Sequence, residues 1–340
     1  MSRLTKTAYI LGIFCFLISC SFAIFYGYKI FTHDVPKTKK TIEEARYHFV
    51  LVPEELDNEY WRLVEKGAKA AAKHYGVVLE YVGPKQANID EHLKTIEMSA
   101  AAKVDGVITQ GLSNKQFTPL INRVVSSYGI PVITIDTDAA NSHRIAYIGT
   151  DNYHAGYLAG KALIADTKGK ANVAIITGSF YANHMIQRVK GFKDAVKKAK
   201  GIHIVAIEES QISRIRAAEK AYQILQEHPE VNAFYGTSAL DGISIAKVVE
   251  LKKREHDIYI IGFDVLPETI ANLQKGTINA TVVQQPYEMG YGSVKMMVEL
   301  MEKKHIPSIV HTETQVIRKK DLSDLHQNRM EAGKKNAIPN

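Results

Sequence analysis

Carboxylates that follow two apolar runs are the residues of this chain best placed to hold a ligand. Asp136 follows the run 131–135, and Asp264 follows the run 258–263. If these runs are strands of open parallel sheets, both side chains lie in the crevice beyond the carboxyl ends of the strands, where ligands bind. An ionised carboxylate accepts two hydrogen bonds side by side, which suits adjacent hydroxyl groups of a sugar. The alternative is that each aspartate caps a helix or lies in a turn.

A glutamine extends this pattern. The stretch 258–290 has the pattern of a strand ending in Asp264, a short amphipathic helix, and an alternating strand ending in Gln284. Because parallel strands end on the same edge of a sheet, we expect Asp264 and Gln284 to face the same ligand.

Two aromatic residues lie in the first turn of a helix after the first strand. Tyr60 and Trp61 follow Asn58 closely, and Trp61 is the only tryptophan in the chain. Aromatic rings stack on the apolar faces of sugars, so we expect at least one of them to contact ligand. The alternative gives one ring to the ligand and the other to the core. Asn58 either caps the helix or binds a hydroxyl group.

An alternation of strands and helices must position these residues. Short runs rich in Val and Ile alternate with longer segments of helical period, which requires parallel sheets with helices on both faces. The sequence therefore predicts an α/β fold of two Rossmann-like, doubly wound lobes joined by a multi-strand hinge. The predicted strands are 47–52, 77–82, 106–110, 131–135, 172–177, 203–207, 233–235, 258–263, 280–285 and 310–317.

The length of 340 residues also favours two lobes, since one core rarely grows this large. The break falls near 148–152, before Gly156 and Gly160, whose spacing of four lets their helix pack closely on a neighbour. The chain is expected to cross back to the first lobe near Gln285 and to return near Pro307. The predicted bounds are 46–149 plus 286–309 for the first lobe, 150–285 plus 310–322 for the second, and 323–340 for a loose tail.

The N-terminal residues predict a membrane attachment. Residues 1–7 are basic, and 8–28 form an uncharged, mostly apolar run long enough to span a bilayer as a helix. One interpretation is an uncleaved anchor over 8–28. The other is a lipoprotein signal peptide, because residues 17–20 resemble a lipobox in which Cys20 is lipidated. In both cases the body is expected outside the cytoplasm, tethered by a polar stalk that ends near Ala45.

Composition narrows the classes of function. With 46% hydrophobic and 23% charged residues the chain is globular. The net charge of +7 lies largely in terminal segments, so we interpret it as surface and membrane-flanking charge and not as a nucleic-acid interface. Cys15 and Cys20 are the only cysteines, and both lie in the leader. We therefore expect neither a disulfide nor a metal site in the body, and no cofactor.

A set of motifs recurs in an order and spacing typical of one family. Between Tyr47 and Ile317 the chain resembles the type I periplasmic sugar-binding proteins, the group that includes ribose-binding protein. The resemblance implies two lobes that close on one small ligand, usually a monosaccharide, and hand it to a transporter or signalling partner. It rests on Asn58-Glu59-Tyr60-Trp61, residues 131–136, Thr150-Asp151-Asn152 with Gly156 and Gly160, residues 188–192, Gly262-Phe263-Asp264 and residues 280–286.

The resemblance also implies site residues, with several departures. An arginine usually follows the first aspartate, where this chain has Thr137, and another usually precedes Arg188 by two residues, where it has Ile186. Ribose itself is therefore not the expected ligand. The candidate ligand residues are Asn58, Tyr60, Trp61, Asp136, Phe263, Asp264 and Gln284 by position; Thr137 and Thr237, which replace family residues; Arg188, which either contacts ligand or braces its loop; and Asn183, His184 and Gln187, which could fill the gap.

Other functions are less consistent with the sequence. Sugar-responsive repressors of the LacI type share the fold, but no helix-turn-helix precedes Tyr47. Paired carboxylates across a cleft are also typical of glycosidases, yet no nucleophile elbow, phosphate loop or paired-histidine motif is present, so we expect no enzyme. The expected membrane partner is an ABC-type permease or, alternatively, a receptor kinase that senses the bound sugar.

Overall fold

The computed structural model describes residues 13, 16–22, 24–26, 46–112 and 115–323. The predicted stalk and the tail beyond residue 323 lie outside these residues. Within the predicted anchor 8–28, the described residues are helical, and Cys20 is partly exposed with a free thiol. No helix of the described residues is both long enough and apolar enough to cross a bilayer. The chain divides into two compact units after Glu44, and both sheets belong to the second unit.

The elements of the first lobe are β1 (His48–Val52), α1 (Glu59–Tyr75), β2 (Val78–Tyr81), α2 (Ile89–Ala101), β3 (Gly106–Gln110), α3 (Phe117–Ser126), β4 (Val132–Ile135), β5 (Ala146–Gly149), α9 (Pro286–Met301) and β11 (Ile309–His311). Its six strands form a parallel sheet in the order β11-β5-β4-β3-β1-β2. Strands β1, β3 and β4 are almost wholly buried because helices cover both faces, which explains their continuous apolar sequences.

The elements of the second lobe are α4 (Asn152–Asp166), β6 (Lys170–Thr177), α5 (Asn183–Val196), β7 (Gly201–Glu209), α6 (Arg214–Glu227), β8 (Ala233–Gly236), α7 (Ala239–Leu251), β9 (Tyr259–Phe263), α8 (Pro267–Lys275), β10 (Ala280–Val283) and β12 (Gln315–Arg318). Its six strands form a second sheet in the order β12-β10-β9-β8-β6-β7. All neighbouring strands pair in parallel except β12, which runs antiparallel to β10.

The prediction of one strand over 310–317 is wrong. Ile309–His311 pairs with β5 in the first sheet, whereas Gln315–Arg318 pairs with β10 in the second. Residues 312–314 therefore cross between the lobes, as do the connections after β5 and β10. His311 belongs to the first sheet, two residues beyond the predicted limit of that lobe. The remaining domain bounds stay predictions.

Glycines bring one pair of helices into backbone contact in each lobe. A Cβ atom at Gly156 of α4 would lie 1.9 Å from the carbonyl oxygen of Arg188, and one at Gly191 of α5 would lie 2.0 Å from that of Tyr153. The first lobe packs α1 on α9 in the same reciprocal way, through Gly67 and Gly290. The predicted close packing at Gly156 and Gly160 is confirmed, because any larger side chain at Gly156 would force the two helices apart.

Candidate functional site

A cleft of about 370 Å³ lies between the lobes at the carboxyl ends of the strands. This volume is within the range of small-molecule sites, about 300–1,000 Å³. Its lining is Glu54, Glu55, Asp57, Asn58, Glu59, Tyr60, Trp61, Gln110 and Asp136 from the first lobe, and His184, Met185, Arg188, Ile212, Arg214, Ser238, Ala239, Leu240, Asp264, Leu266 and Gln284 from the second.

Asp136 is the polar centre of the first-lobe wall. It follows β4 directly, has a φ of 64°, and is 5% exposed. Its Oδ1 accepts a hydrogen bond from the Tyr60 hydroxyl at 2.5 Å, and its Oδ2 accepts from Gln110 Nε2 at 3.0 Å and Thr137 Oγ1 at 3.1 Å. Three donors therefore fix this carboxylate before any ligand is present.

Asp264 and Gln284 form the matching group in the second lobe. Asp264 follows β9, also with a φ of 64°, and Gln284 follows β10. Gln284 Nε2 donates to Asp264 Oδ1 at 2.8 Å, as expected for the ends of neighbouring parallel strands. Removal from water raises the pKa of Asp264 to about 6, although the nearby Arg188 guanidinium opposes this effect. The carboxylate retains acceptor positions for ligand hydroxyl groups.

Arg188 links the second-lobe wall to the hinge. The guanidinium donates from Nε to Asn152 Oδ1 at 2.8 Å, from Nη1 to the Thr237 carbonyl at 2.8 Å, and from Nη2 to Gln284 Oε1 at 3.0 Å. Its Cζ lies 3.8 Å from the centroid of the Phe263 ring, in a cation–π contact. Arg188 braces its surroundings through these bonds, and it also lines the cleft, so its contact with ligand stays a prediction.

The two aromatic residues both border the cleft but differ in burial. Trp61 is only 2% exposed and belongs to the core of the first lobe, whereas the partly exposed Tyr60 directs its hydroxyl to Asp136. The two rings meet edge to face at 5.8 Å. Asn58 caps α1 by accepting from Tyr60 N at 2.9 Å, and it also borders the cleft. Both alternatives for Asn58 are therefore compatible with its position.

Three predicted ligand residues lie behind the cleft surface. Phe263 is covered by Arg188, and the Thr237 hydroxyl donates to Thr177 at 3.1 Å. The Thr137 hydroxyl donates to Asp136 and is 2.9 Å from His184 Nδ1 across the lobes. None of the three is part of the cleft lining. Their contacts position Arg188 and Asp136, so the structure supports an indirect role for them.

The sequence prediction missed five cleft residues of the first lobe: Glu54, Glu55, Asp57, Glu59 and Gln110. Gln110 ends β3 and is 2% exposed, and its Oε1 has no hydrogen-bond partner among the described residues. The strand-end rule that selected Asp136 would also have selected Gln110. Glu54 follows β1, and its removal from water, together with the charge of Asp136, raises the pKa of its carboxyl to about 7.

The residues predicted to replace the missing ribose-type arginines, Asn183, His184 and Gln187, do not all line the cleft. His184 lines the cleft, and its burial lowers the pKa of its imidazole to about 4. Asn183 and Gln187 instead line a second cavity near the hinge. Ile186 is 43% exposed and is not part of the cleft lining.

The arrangement suits reversible binding of a polyhydroxylated molecule. Carboxylates and amide oxygens accept hydrogen bonds, while Arg188, Gln110 and Asn58 can donate them. Within the part of the chain that the structure describes, no group of three or more His, Cys, Asp or Glu side chains could hold a metal ion.

Comparison with known proteins identifies the family. The family model described as a periplasmic binding protein domain matches residues 49–305, which include most of both lobes. The chain belongs to the type I periplasmic sugar-binding proteins. The fold class and the resemblance predicted from the sequence are thereby confirmed. Members of this family act outside the cytoplasm, and the relatives found are binding proteins and not enzymes.

Individual relatives agree with this membership. GanP, a glucose-galactose binding protein from Geobacillus stearothermophilus, is 69% identical, with a TM-score of 0.79 over 81% of this chain and 98% of GanP. The structure of a XylFII-LytSN complex includes a chain 36% identical to this one, with a TM-score of 0.76 over 81% of this chain and 98% of that chain. The D-allose-binding periplasmic protein of Escherichia coli (strain K12) is 26% identical over 265 residues, 75% of this chain and 85% of that protein.

Proposed function

We propose that this protein is a membrane-tethered binding protein that closes on a monosaccharide and passes it to an ABC-type sugar transporter. The observation that carries the proposal is the convergence of Asp136 and Asp264, from opposite lobes, on one cleft of about 370 Å³. Since each carboxylate comes from a different lobe, a sugar that hydrogen-bonds to both holds the lobes closed.

The sugar is inferred to be an aldohexose of the glucose or galactose type. GanP, which is 69% identical, is a glucose-galactose binding protein. The ribose-type arginine after the first aspartate is replaced by Thr137, whose hydroxyl is used by Asp136 and lies against His184. A site without that arginine has lost a donor that a ribose-type site would use, so a different sugar fits it better.

Each cleft residue has a role in this proposal. Asp136 and Asp264 accept hydrogen bonds from sugar hydroxyl groups. Gln110 Oε1, which has no partner among the described residues, accepts a further one. Arg188 donates to the ring or an anomeric oxygen, and Tyr60 supplies an apolar face at the first-lobe wall. Tethering, by the uncleaved segment 8–28 or by lipid on Cys20, keeps the protein beside its partner.

A second candidate is a sensing role, in which the closed form is presented to a membrane receptor kinase. The XylFII-LytSN complex, with a chain 36% identical to this one, supports it, because a relative forms an assembly with a second protein. Transport and sensing can share the same sugar site and differ only in the partner.

Calorimetric titration of the full chain in detergent with D-glucose, D-galactose, D-allose and D-ribose tests the sugar. We expect micromolar or tighter binding of a hexose and loss of that binding in Asp264→Ala. Absence of binding across the panel, or unchanged binding in the variant, would contradict the proposed site. Uptake of the labelled sugar by cells that lack the protein separates the roles: lost uptake supports transport, and normal uptake with a lost transcriptional response supports sensing.

A further inference from the structure

A second cavity of about 180 Å³ lies near the hinge. Its lining comes from both lobes and includes Tyr147, Thr150, Asn152, Gln187 and His311. The connection from β5 to α4 passes along it, because Thr150 and Asn152 belong to that connection and to the start of α4. This cavity is separate from the sugar cleft, although the two are near each other.

The partition between the cavities consists mainly of hydrogen-bonded pairs. Thr150 Oγ1 on the hinge side donates to Gln284 Oε1 on the cleft side at 2.6 Å. Asn152 on the hinge side accepts from Arg188 on the cleft side at 2.8 Å. At these two places the partition is therefore two side chains thick.

At His184 the partition is a single side chain. His184 is the residue that lines both the cleft and the hinge cavity, and it is 8% exposed. Its Nδ1 lies 2.9 Å from the Thr137 hydroxyl, which holds the ring in place across the lobes. Deletion of the imidazole would therefore join two spaces that the wild-type protein keeps apart.

We propose that His184 is a specificity-determining residue, whose ring closes the sugar cleft on the hinge side and restricts it to an unsubstituted monosaccharide. This inference rests on the proposed sugar-binding function. A sugar carrying an extra group on the side that faces His184 meets the ring, and even one additional methyl group against a close-packed wall weakens binding. Without the ring, the same group has the hinge cavity to enter.

The neutral state of the ring is consistent with this role. Burial and the neighbouring Arg188 lower the pKa of His184, while Asp136 opposes the shift. The other ionisable groups that line the cleft are Glu54, Glu55, Asp57, Glu59, Tyr60, Arg214 and Asp264. Those that line the hinge cavity are Asp138, Tyr147, Asp151, Tyr153 and His311. A neutral imidazole can lie beside the guanidinium without charge repulsion, so the wall is stable at neutral pH.

The test compares the full chain, His184→Ala and Gln187→Ala. Gln187 lines only the hinge cavity, so its truncation enlarges that cavity and leaves the partition closed. Dissociation constants are measured for D-galactose, D-glucose and the mono-O-methyl derivatives of each sugar, one hydroxyl group at a time. This panel requires no assumption about which way the sugar lies.

We expect His184→Ala to bind the parent sugar about 5–10-fold more weakly, because the contact with Thr137 is lost. We expect the affinity for at least one methylated derivative, relative to the parent, to rise by about 10-fold or more over wild type. His184→Gln, which retains bulk and a hydrogen-bonding group, should restore most of the discrimination, and Gln187→Ala should match wild type. A role in lobe closure alone would weaken all ligands equally.

The outcomes separate the two claims. If wild type binds a parent sugar but His184→Ala leaves every ratio unchanged, the partition inference is wrong and the sugar site stands. If wild type binds no monosaccharide, the proposed function is wrong and the inference falls with it. A crystal structure of His184→Ala gives an independent check, because the two cavities should be continuous; two cavities that remain separate would also overturn the inference.

Discussion

The two lobes place an aspartate at equivalent points of their sheets. Asp136 and Asp264 each follow a buried strand, each with a φ of 64°. Each donates its backbone N–H to a carbonyl of the neighbouring strand region, at 3.2 Å and 2.7 Å respectively. Each backbone carbonyl accepts from a hydroxyl group of the neighbouring strand, Tyr147 in one lobe and Thr281 in the other, at 2.8 Å in both cases. The backbone therefore repeats in the two lobes.

The side-chain environments of these aspartates differ. Asp136 accepts from Tyr60, Gln110 and Thr137, all from its own lobe. Asp264 has one side-chain donor in the described structure, Gln284. The first-lobe carboxylate is thus held rigidly in advance, and the second keeps more acceptor capacity for the ligand. In the proposed function, Asp136 is thus a fixed acceptor and Asp264 is the acceptor that gains most from a bound sugar.

The two walls of the cleft also differ in charge. Five carboxylates, from Glu54 to Asp136, line the first-lobe wall, and the second-lobe wall carries Arg188 and Arg214 with one carboxylate. Arg214 pairs with Glu268 near the surface, so Arg188 is the buried cation opposite the acidic wall. Opposite charges that approach as the lobes close favour the closed state.

Removal of the buried cation should have the largest effect. In Arg188→Met, Asn152, Gln284 and the Thr237 carbonyl each lose a donor, and Asp264 loses the nearby positive charge. We expect unfolding free energy to fall by about 3–5 kcal/mol and sugar binding to be lost. Urea unfolding and calorimetry measure the two effects. Arg188→Lys should restore little, because an ammonium group cannot reproduce three divergent hydrogen bonds; full restoration would show that charge alone matters.

The second prediction separates the two aspartates by stability. Asp136→Asn places an amide group where three donors already converge, so at least one donor loses its acceptor. We expect a loss of about 2 kcal/mol in unfolding free energy without ligand. Asp264→Asn should leave it unchanged or raise it at pH 7, because burial disfavours the ionised carboxylate, while weakening sugar binding strongly. Equal stability losses in urea titrations would show that the two environments are energetically alike.

The third prediction is a pH dependence of Asp264. Burial raises its pKa from the ordinary 3.8 to about 6, so the folded protein binds this proton more tightly than the unfolded chain does. The proton on Asp264 therefore stabilises the folded state. This stabilisation is fully present below about pH 4 and is lost as pH rises through 6. The stability of wild type relative to Asp264→Asn should therefore fall from about pH 4 to about pH 7 and stay constant above. Using the difference removes the contribution of other groups, including His184, whose lowered pKa acts in the opposite sense.

The smallest effect is expected for Tyr60→Phe. The ring stays beside Trp61, and Asp136 Oδ1 loses one of its donors. A hydrogen bond to a charged group contributes about 1.5–3 kcal/mol, part of which water in the open cleft replaces. We expect sugar affinity to drop about 5–10-fold with little change in unfolding temperature. A larger loss of affinity than in Asp264→Asn would contradict the proposal that Asp136 is held in advance and that Asp264 gains most from a bound sugar.

The sequence predicts the fold and the strand-end residues because both depend on local patterns. Apolar runs that end in Asp136, Asp264 and Gln284 could be found without tertiary information, and Gln110 obeys the same rule. Burial along α5 also follows a local pattern: His184, Met185 and Arg188 lie on the buried face, and Ile186 lies on the exposed one.

Other features depend on contacts between distant segments. The positions of Thr137, Thr237 and Phe263 behind the cleft surface follow from where Arg188 and His184 pack, which no spacing in the sequence specifies. The crossing at 312–314 depends on the partners that the flanking residues find in two different sheets. A strand pattern of alternating residues is the same whichever sheet accepts it.

The contact of Gly156 with the carbonyl of Arg188 has a mechanical consequence. Helix α4 begins at the hinge, and at Gly156 its backbone touches the backbone of the residue that carries the cleft guanidinium. Contact between two backbones leaves no flexible side chain to absorb displacement. Any displacement of α4 at the hinge would therefore move the backbone of Arg188 with it.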